Sequence, residues 1–168
     1  MTALFRGHGP RRRGYVAAMS ETKRLFHCAP EDVFAVLEDG WTYGMWVVGA
    51  ARIRAVDEGW PAPGSKIHHS VGLWPALLSD TTSVEAIDAP REITLTVRAW
   101  PTGQGRVRIT CEPHPKGTLV TMEEAATSGP AAMMPQVMQD PVLHARNVEA
   151  LRRLSYLAEN RGQAGARA

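Results

Sequence analysis

The chain has 168 residues, 44% of them hydrophobic and 21% charged, which is the balance of one soluble domain able to bury its own core. No apolar run approaches the roughly 18 residues of a bilayer-spanning helix, so membrane insertion is not expected. The formal net charge of +2 rests on Arg6, Arg11, Arg12 and Arg13 in residues 1–18, and the remaining 15 basic against 17 acidic residues exclude the basic stripe of a nucleic-acid binder.

After these arginines comes only Tyr15-Val16-Ala17-Ala18, shorter than the roughly 7–15 residues of a signal peptide's apolar region. Residues 1–18 therefore read as a disordered extension, with Met19 as the natural start of a domain over 19–160 and residues 161–168 as a disordered tail. Cys28 and Cys111 are too few for a disulfide framework and read as free thiols, which points to a cytoplasmic location.

Alternation over residues 21–28, with Leu25 and Phe26, predicts a first strand. Pro30, then Glu31 and Asp32 at the positive end of a helix dipole, then Val33, Phe34, Val36 and Leu37 predict a short helix stopped at Asp39-Gly40. From Val47 the period changes to two. Strands are expected near 47–56, 65–74, 77–87, 91–99, 105–112 and 117–126. Turn residues at Asp57-Glu58-Gly59, Asp88-Ala89-Pro90, Thr102 to Gly105 and Pro113 to Gly117 separate them, and such short connections favour an antiparallel meander.

Ser128 to Pro135 reads as a loop, and Met133, Met134, Val137 and Met138 cluster before the long helix, which suits either core capping or a loop over a cavity mouth. Asp140-Pro141 has the form of a helix start, an N-cap followed by proline. Leu143, Ala150, Leu151, Leu154, Leu157 and Ala158 then form one stripe, with Asn160 and Gly162 as the stop.

The element order, together with APEDVFAVLED at 29–39, WVVGA at 46–50, LTVRAWP at 95–101, GTLVTMEE at 117–124 and RNVEALRRL at 146–154, resembles the SRPBCC (START-like) superfamily. The likeness is to the bacterial members called polyketide cyclase/dehydrase-like. The resemblance implies an α+β helix-grip fold, in which a curved antiparallel β-sheet wraps around a long C-terminal α-helix, with short helices after the first strand. It also implies a cavity between sheet and helix, with Trp41, Tyr43 and Trp46 at or near its wall and Gly44 and Gly49 allowing close approach. The other reading of Trp46, and the one its size favours, is a core anchor.

Side-chain alternation puts Ile67, His69 and Val71 on the inner face of their strand and His68 on the outer one. Gly49, Ala51 and Ile53, then Ile93, Leu95 and Val97, then Val107, Ile109 and Cys111 are the expected inner positions of three further strands. Val120, Met122 and Glu124 share a face in the last. Asn147 falls in the apolar stripe of the long helix, where an unpaired amide costs on the order of 1–3 kcal/mol.

The candidate ligand-binding residues are therefore Trp46, His69, Glu124, Asn147, Met122 and Leu95, with Asp80 and Thr82 on a strand of ambiguous face. A structural role, in which the polar groups satisfy one another, stands beside the ligand-binding one. No catalytic residue is assigned. His68 and His69 point to opposite faces, so no metal site is read, and nothing calls for a cofactor. The first functional reading is binding of a small hydrophobic molecule of lipid, polyketide or aromatic type. The alternative is a cyclase or dehydratase-type enzyme, with neutral His69 as base and a buried glutamic acid as acid. An interaction module with a vestigial cavity is the third. The sequence does not define the oligomeric state.

Overall fold

A computed structural model of the chain describes residues 20–73, 76–99, 103–133 and 136–165. The expected extension over residues 1–18 lies outside them, as do Met134 and Pro135. The elements run β1 (Ser20–Phe26), α1 (Pro30–Leu37), a 3-10 turn (Gly40–Thr42), α2 (Tyr43–Trp46), β2 (Ala50–Val56), β3 (Lys66–Leu73), β4 (Ala76–Asp88), β5 (Glu92–Ala99), β6 (Gly103–His114), β7 (Gly117–Ser128), α3 (Pro130–Met133) and α4 (Gln136–Gly165).

The strands form one seven-stranded sheet in the order β1-β7-β6-β5-β4-β3-β2. Each of β2 to β6 pairs antiparallel with the next, and β1 joins antiparallel along β7. The sheet is curved, with its inner face covered by α4, which packs on β1, β7, α1 and α2. This is the helix-grip α+β fold. Ile67, Ile93, Ile109 and Val120 from the sheet meet Leu151, Leu154 and Ala158 of α4 and Val33 and Val36 of α1, all buried. No helix among the described residues is long and apolar enough to cross a membrane.

Three expectations are corrected. The strand expected from Val47 begins at Ala50, because Tyr43 to Trp46 form α2 and Gly49, at φ +99°, turns the chain between helix and strand. In β2 the register slips between Ala50 and Arg52. Ala50 therefore packs on the core beside Ile53, whereas Ala51, expected inside, is exposed. A slip of one residue moves a side chain to the other face.

The long helix does not begin at Asp140-Pro141. It starts at Gln136 and takes Pro141 into its second turn, where the missing N–H forfeits one hydrogen bond near the helix end. It also passes Asn160 and Gly162 and ends at Gly165. Tertiary docking holds that last turn: Arg161 donates to the Ala35 carbonyl (2.8 Å) and to Asp39 Oδ2 (2.8 Å). Gly162 lies so close to α1 that a Cβ there would stand 2.8 Å from Asp32 Oδ2.

Candidate functional site

The inner face is mostly apolar, and its polar residues are grouped. Leu95 on β5 faces Val107 on β6, which faces Glu124 on β7, so one cross-strand row ends in a carboxylate. At the other side of the sheet His69 on β3 faces Asp80 on β4 and Ile53 on β2. Thr82 and Asp80, two residues apart on β4, are both buried, which settles the face of that strand.

Helix α2 lies beside this second group. Tyr43 and Trp46 meet edge to face, with centroids 5.4 Å apart, and the Tyr43 ring is 5.3 Å from that of His69. The Tyr43 hydroxyl is 2.7 Å from Thr82 Oγ1, which is in turn 3.1 Å from His69 Nε2. Burial pushes the Tyr43 hydroxyl up to about 12, so it keeps its proton. Burial also lowers His69, with Asp80 acting in the opposite direction, and the imidazole is neutral near pH 7.

From α4, Asn147 and Ala150 face the sheet, and Arg146 forms an ion pair with Glu124 through Oε1. The sequence reading cast the buried glutamate as a free acid; the structure gives it a cationic partner instead. Arg146 falls at helical spacing between Leu143 and Ala150, and that spacing is the signal that would have found it. No local signal marks the Tyr43–Thr82 contact, which joins residues 39 positions apart.

These elements enclose a cavity of about 80 Å³. Trp46, Leu95 and Met122 line it, as do His69, Glu124 and Asn147, so all six sequence candidates converge on one space. Gly49 and Arg98, both exposed, mark where it reaches the surface. Trp41, expected near the wall, is 61% exposed and takes no part, because the 3-10 turn carries its ring away from α2. His68 turns to the outer side, 3.3 Å from Asp57.

His69 and Asn147 are 2% exposed and Glu124 6%. Each nevertheless has one buried polar atom without a protein partner: His69 Nδ1, Glu124 Oε2 and Asn147 Nδ2. Leaving such an atom unpaired costs about 1–3 kcal/mol, and these three belong to the lining of one cavity. Cys28 and Cys111 are free, and burial pushes both thiols up to about 12, which leaves them poor nucleophiles. Among the described residues no three His, Cys, Asp or Glu side chains gather as a metal site.

The chain is similar in structure to a protein of Nitrosomonas europaea at 16% identity and a TM-score of 0.65, over 83% of this chain and 93% of that one. It is similar to Ara h 8.0201 at 16% identity and a TM-score of 0.63, over 83% and 96%. A third likeness is to the di-domain ARO/CYC StfQ of the steffimycin biosynthetic pathway, at 16% identity and a TM-score of 0.63, over 85% of this chain and 51% of that one. At such identities the likeness is one of fold. No curated protein matches the sequence. The family described as "polyketide cyclase / dehydrase and lipid transport" matches residues 17–156, nearly the whole folded chain, and the protein belongs to that family, within the SRPBCC superfamily.

Proposed function

We propose that the protein binds a small, largely apolar molecule in the cavity between the sheet and α4. Trp46, Leu95 and Met122 supply apolar contact, and His69, Glu124 and Asn147 orient the molecule. The observation that supports this reading is the set of three buried polar atoms without partners around one apolar-walled space. A fold needing them only for packing would pair them with one another; ligand sites instead combine apolar walls with a few convergent polar groups. The test is native mass spectrometry of the purified protein, followed by extraction and titration calorimetry of what co-purifies. Weakening by about 1–2 kcal/mol in His69→Ala and in Asn147→Ala, the scale of one lost hydrogen bond, is expected. Unchanged affinity in both, with circular dichroism unchanged, returns these residues to a purely structural role.

A second reading, an enzyme of cyclase or dehydratase type on an aromatic or polyketide-like substrate, is favoured by the neutral imidazole of His69 in the same cavity as the Glu124 carboxyl group. Such groups suit proton removal next to a carbonyl. Retained affinity with collapsed turnover in His69→Ala would select it.

A further inference from the structure

Counting protons along the Tyr43–Thr82–His69 chain decides which nitrogen of His69 carries hydrogen. The chain has two contacts, Tyr43 hydroxyl to Thr82 Oγ1 and Thr82 Oγ1 to His69 Nε2. Tyr43 and Thr82 are both buried and each brings one O–H. If Nε2 carried hydrogen and donated to Thr82, one of the two hydroxyl protons would have no acceptor in the chain. When Tyr43 donates to Thr82 and Thr82 donates to Nε2, both hydroxyl protons are used. Each form leaves one donor unmade, but the Nε2–H form also leaves the bare Nδ1 without a donor, two unpaired groups against one, so the second assignment is the less costly and holds. Nε2 is then the acceptor and the ring hydrogen sits on Nδ1, the atom with no protein partner.

The cavity thus presents two kinds of group. Nδ1–H of His69 and Nδ2 of Asn147 are donors without acceptors. Glu124 Oε2 is a carboxylate oxygen without a donor, since Arg146 engages Oε1. His69 and Glu124 stand on β3 and β7, with β4, β5 and β6 between them, so this donor and the acceptor come from opposite sides of the sheet, while Asn147 reaches the cavity from α4. The volume, about 80 Å³, is about half that of an engineered ~150 Å³ cavity that takes up benzene. A ring is therefore not wholly enclosed and must extend toward the mouth at Gly49 and Arg98, which limits the ligand to one ring at most.

Building on the cavity as a ligand site, we propose that Tyr43 and Thr82 fix His69 as the Nδ1–H tautomer, and that the cavity selects a one-ring hydroxy-carbonyl compound, its carbonyl oxygen received by His69 and Asn147 and its hydroxyl donated to Glu124. His69 is then a donor to the ligand, and its basic nitrogen is occupied by Thr82.

Two measurements test this. Long-range 15N NMR of the ligand-free protein reads the tautomer directly: Nδ1 in the protonated range and Nε2 in the unprotonated range are expected, and the reverse overturns the assignment. Tyr43→Phe, which removes the first donor, is expected to shift the ring toward Nε2–H, and an unmoved tautomer also overturns it. NMR titrations then compare 4-hydroxyacetophenone, acetophenone, 4-ethylphenol and ethylbenzene. Each polar group is expected to tighten binding about tenfold, with the gain from the carbonyl lost in Asn147→Leu and the gain from the hydroxyl lost in Glu124→Gln. Equal affinity for all four compounds overturns the selectivity while leaving the ligand site standing. No binding of any of them, while a co-purified molecule of other chemistry binds, overturns the selectivity alone; no binding of anything overturns the ligand site with it.

Discussion

Arg146 on α4 and Glu124 on β7 form an ion pair that ties the helix to the sheet at the wall of the cavity, the carboxylate buried and the guanidinium partly exposed. Removing the two partners should therefore have unequal effects. Arg146→Met leaves a buried carboxylate without its cation and is expected to destabilise by about 2 kcal/mol, below the full range for a wholly buried pair because water reaches the arginine. Glu124→Gln added to it should recover most of that loss. Urea unfolding of the single and double variants checks this, and strictly additive costs would show that the pair is not coupled.

The neutral state of His69 makes stability depend on pH. Burial holds the folded ring below the 6.5 of the unfolded chain, with Asp80 opposing and Arg54 and His68 assisting. Between the two values the unfolded chain binds a proton that the folded chain does not. The contribution of His69 is thus complete above pH 6.5 and is lost as the pH falls below it. Calorimetric Tm values between pH 7.5 and 5 should fall less steeply in His69→Gln than in the wild type. Parallel profiles would mean that the folded and unfolded rings bind protons alike.

Leu151 and Leu154 are both completely buried between α4 and the sheet. Leu151→Ala and Leu154→Ala should each cost roughly 2–5 kcal/mol, measured by denaturant unfolding. A loss below about 0.5 kcal/mol in both would contradict the packing of α4 on the core.

Two glycines near the site should respond differently to alanine. Gly44 lies within α2, and a Cβ there would meet Ile53 at an ordinary 3.5 Å. Gly44→Ala is expected to be neutral or stabilising by up to ~1 kcal/mol, the gain of alanine over glycine in a helix. A Cβ on Gly49 would meet only Val71 Cγ1 at an ordinary 4.0 Å, but the backbone has φ +99°, so Gly49→Ala should cost about 1–2 kcal/mol through backbone strain alone. Thermal unfolding of the two variants decides between space and conformation, and equal shifts would refute the distinction.

The sheet was readable because alternation holds along β3, β5, β6 and β7, where His69, Leu95, Ile109 and Glu124 fall on the faces their neighbours predict. It was misleading in β2, where two register slips, which leave no mark in the spacing of apolar residues, changed the side that Ala51 faces. Helix α4 shows the converse case. Asp140-Pro141 is a strong local start signal, yet the helix already begins at Gln136, and at its other end Arg161 holds it beyond Gly162. Five of the cavity-lining candidates, His69, Leu95, Met122, Glu124 and Asn147, could be assigned an inward face from periodicity because each belongs to a regular face, whereas Trp46 rested on the family resemblance. Thr82 as the link between Tyr43 and His69 could not, since a hydrogen-bond chain joining α2, β4 and β3 exists only after the sheet has closed over α2.

The pairing of β1 with β7, Phe26 opposite Thr118 and Ser20 opposite Glu124, sets an order of events for a chain emerging from the ribosome. The meander from β2 to β7 can zip up hairpin by hairpin, but β1 has no partner until almost the whole sheet has been synthesised, and α4 follows last. Such long-range closure slows folding. A nascent chain arrested before residue 117 would therefore carry β1 as an unpaired edge and, lacking Glu124 and Asn147, could not close the cavity, so if the proposed binding holds, a late-arrested ribosome complex should gain ligand retention only once α4 has cleared the exit tunnel.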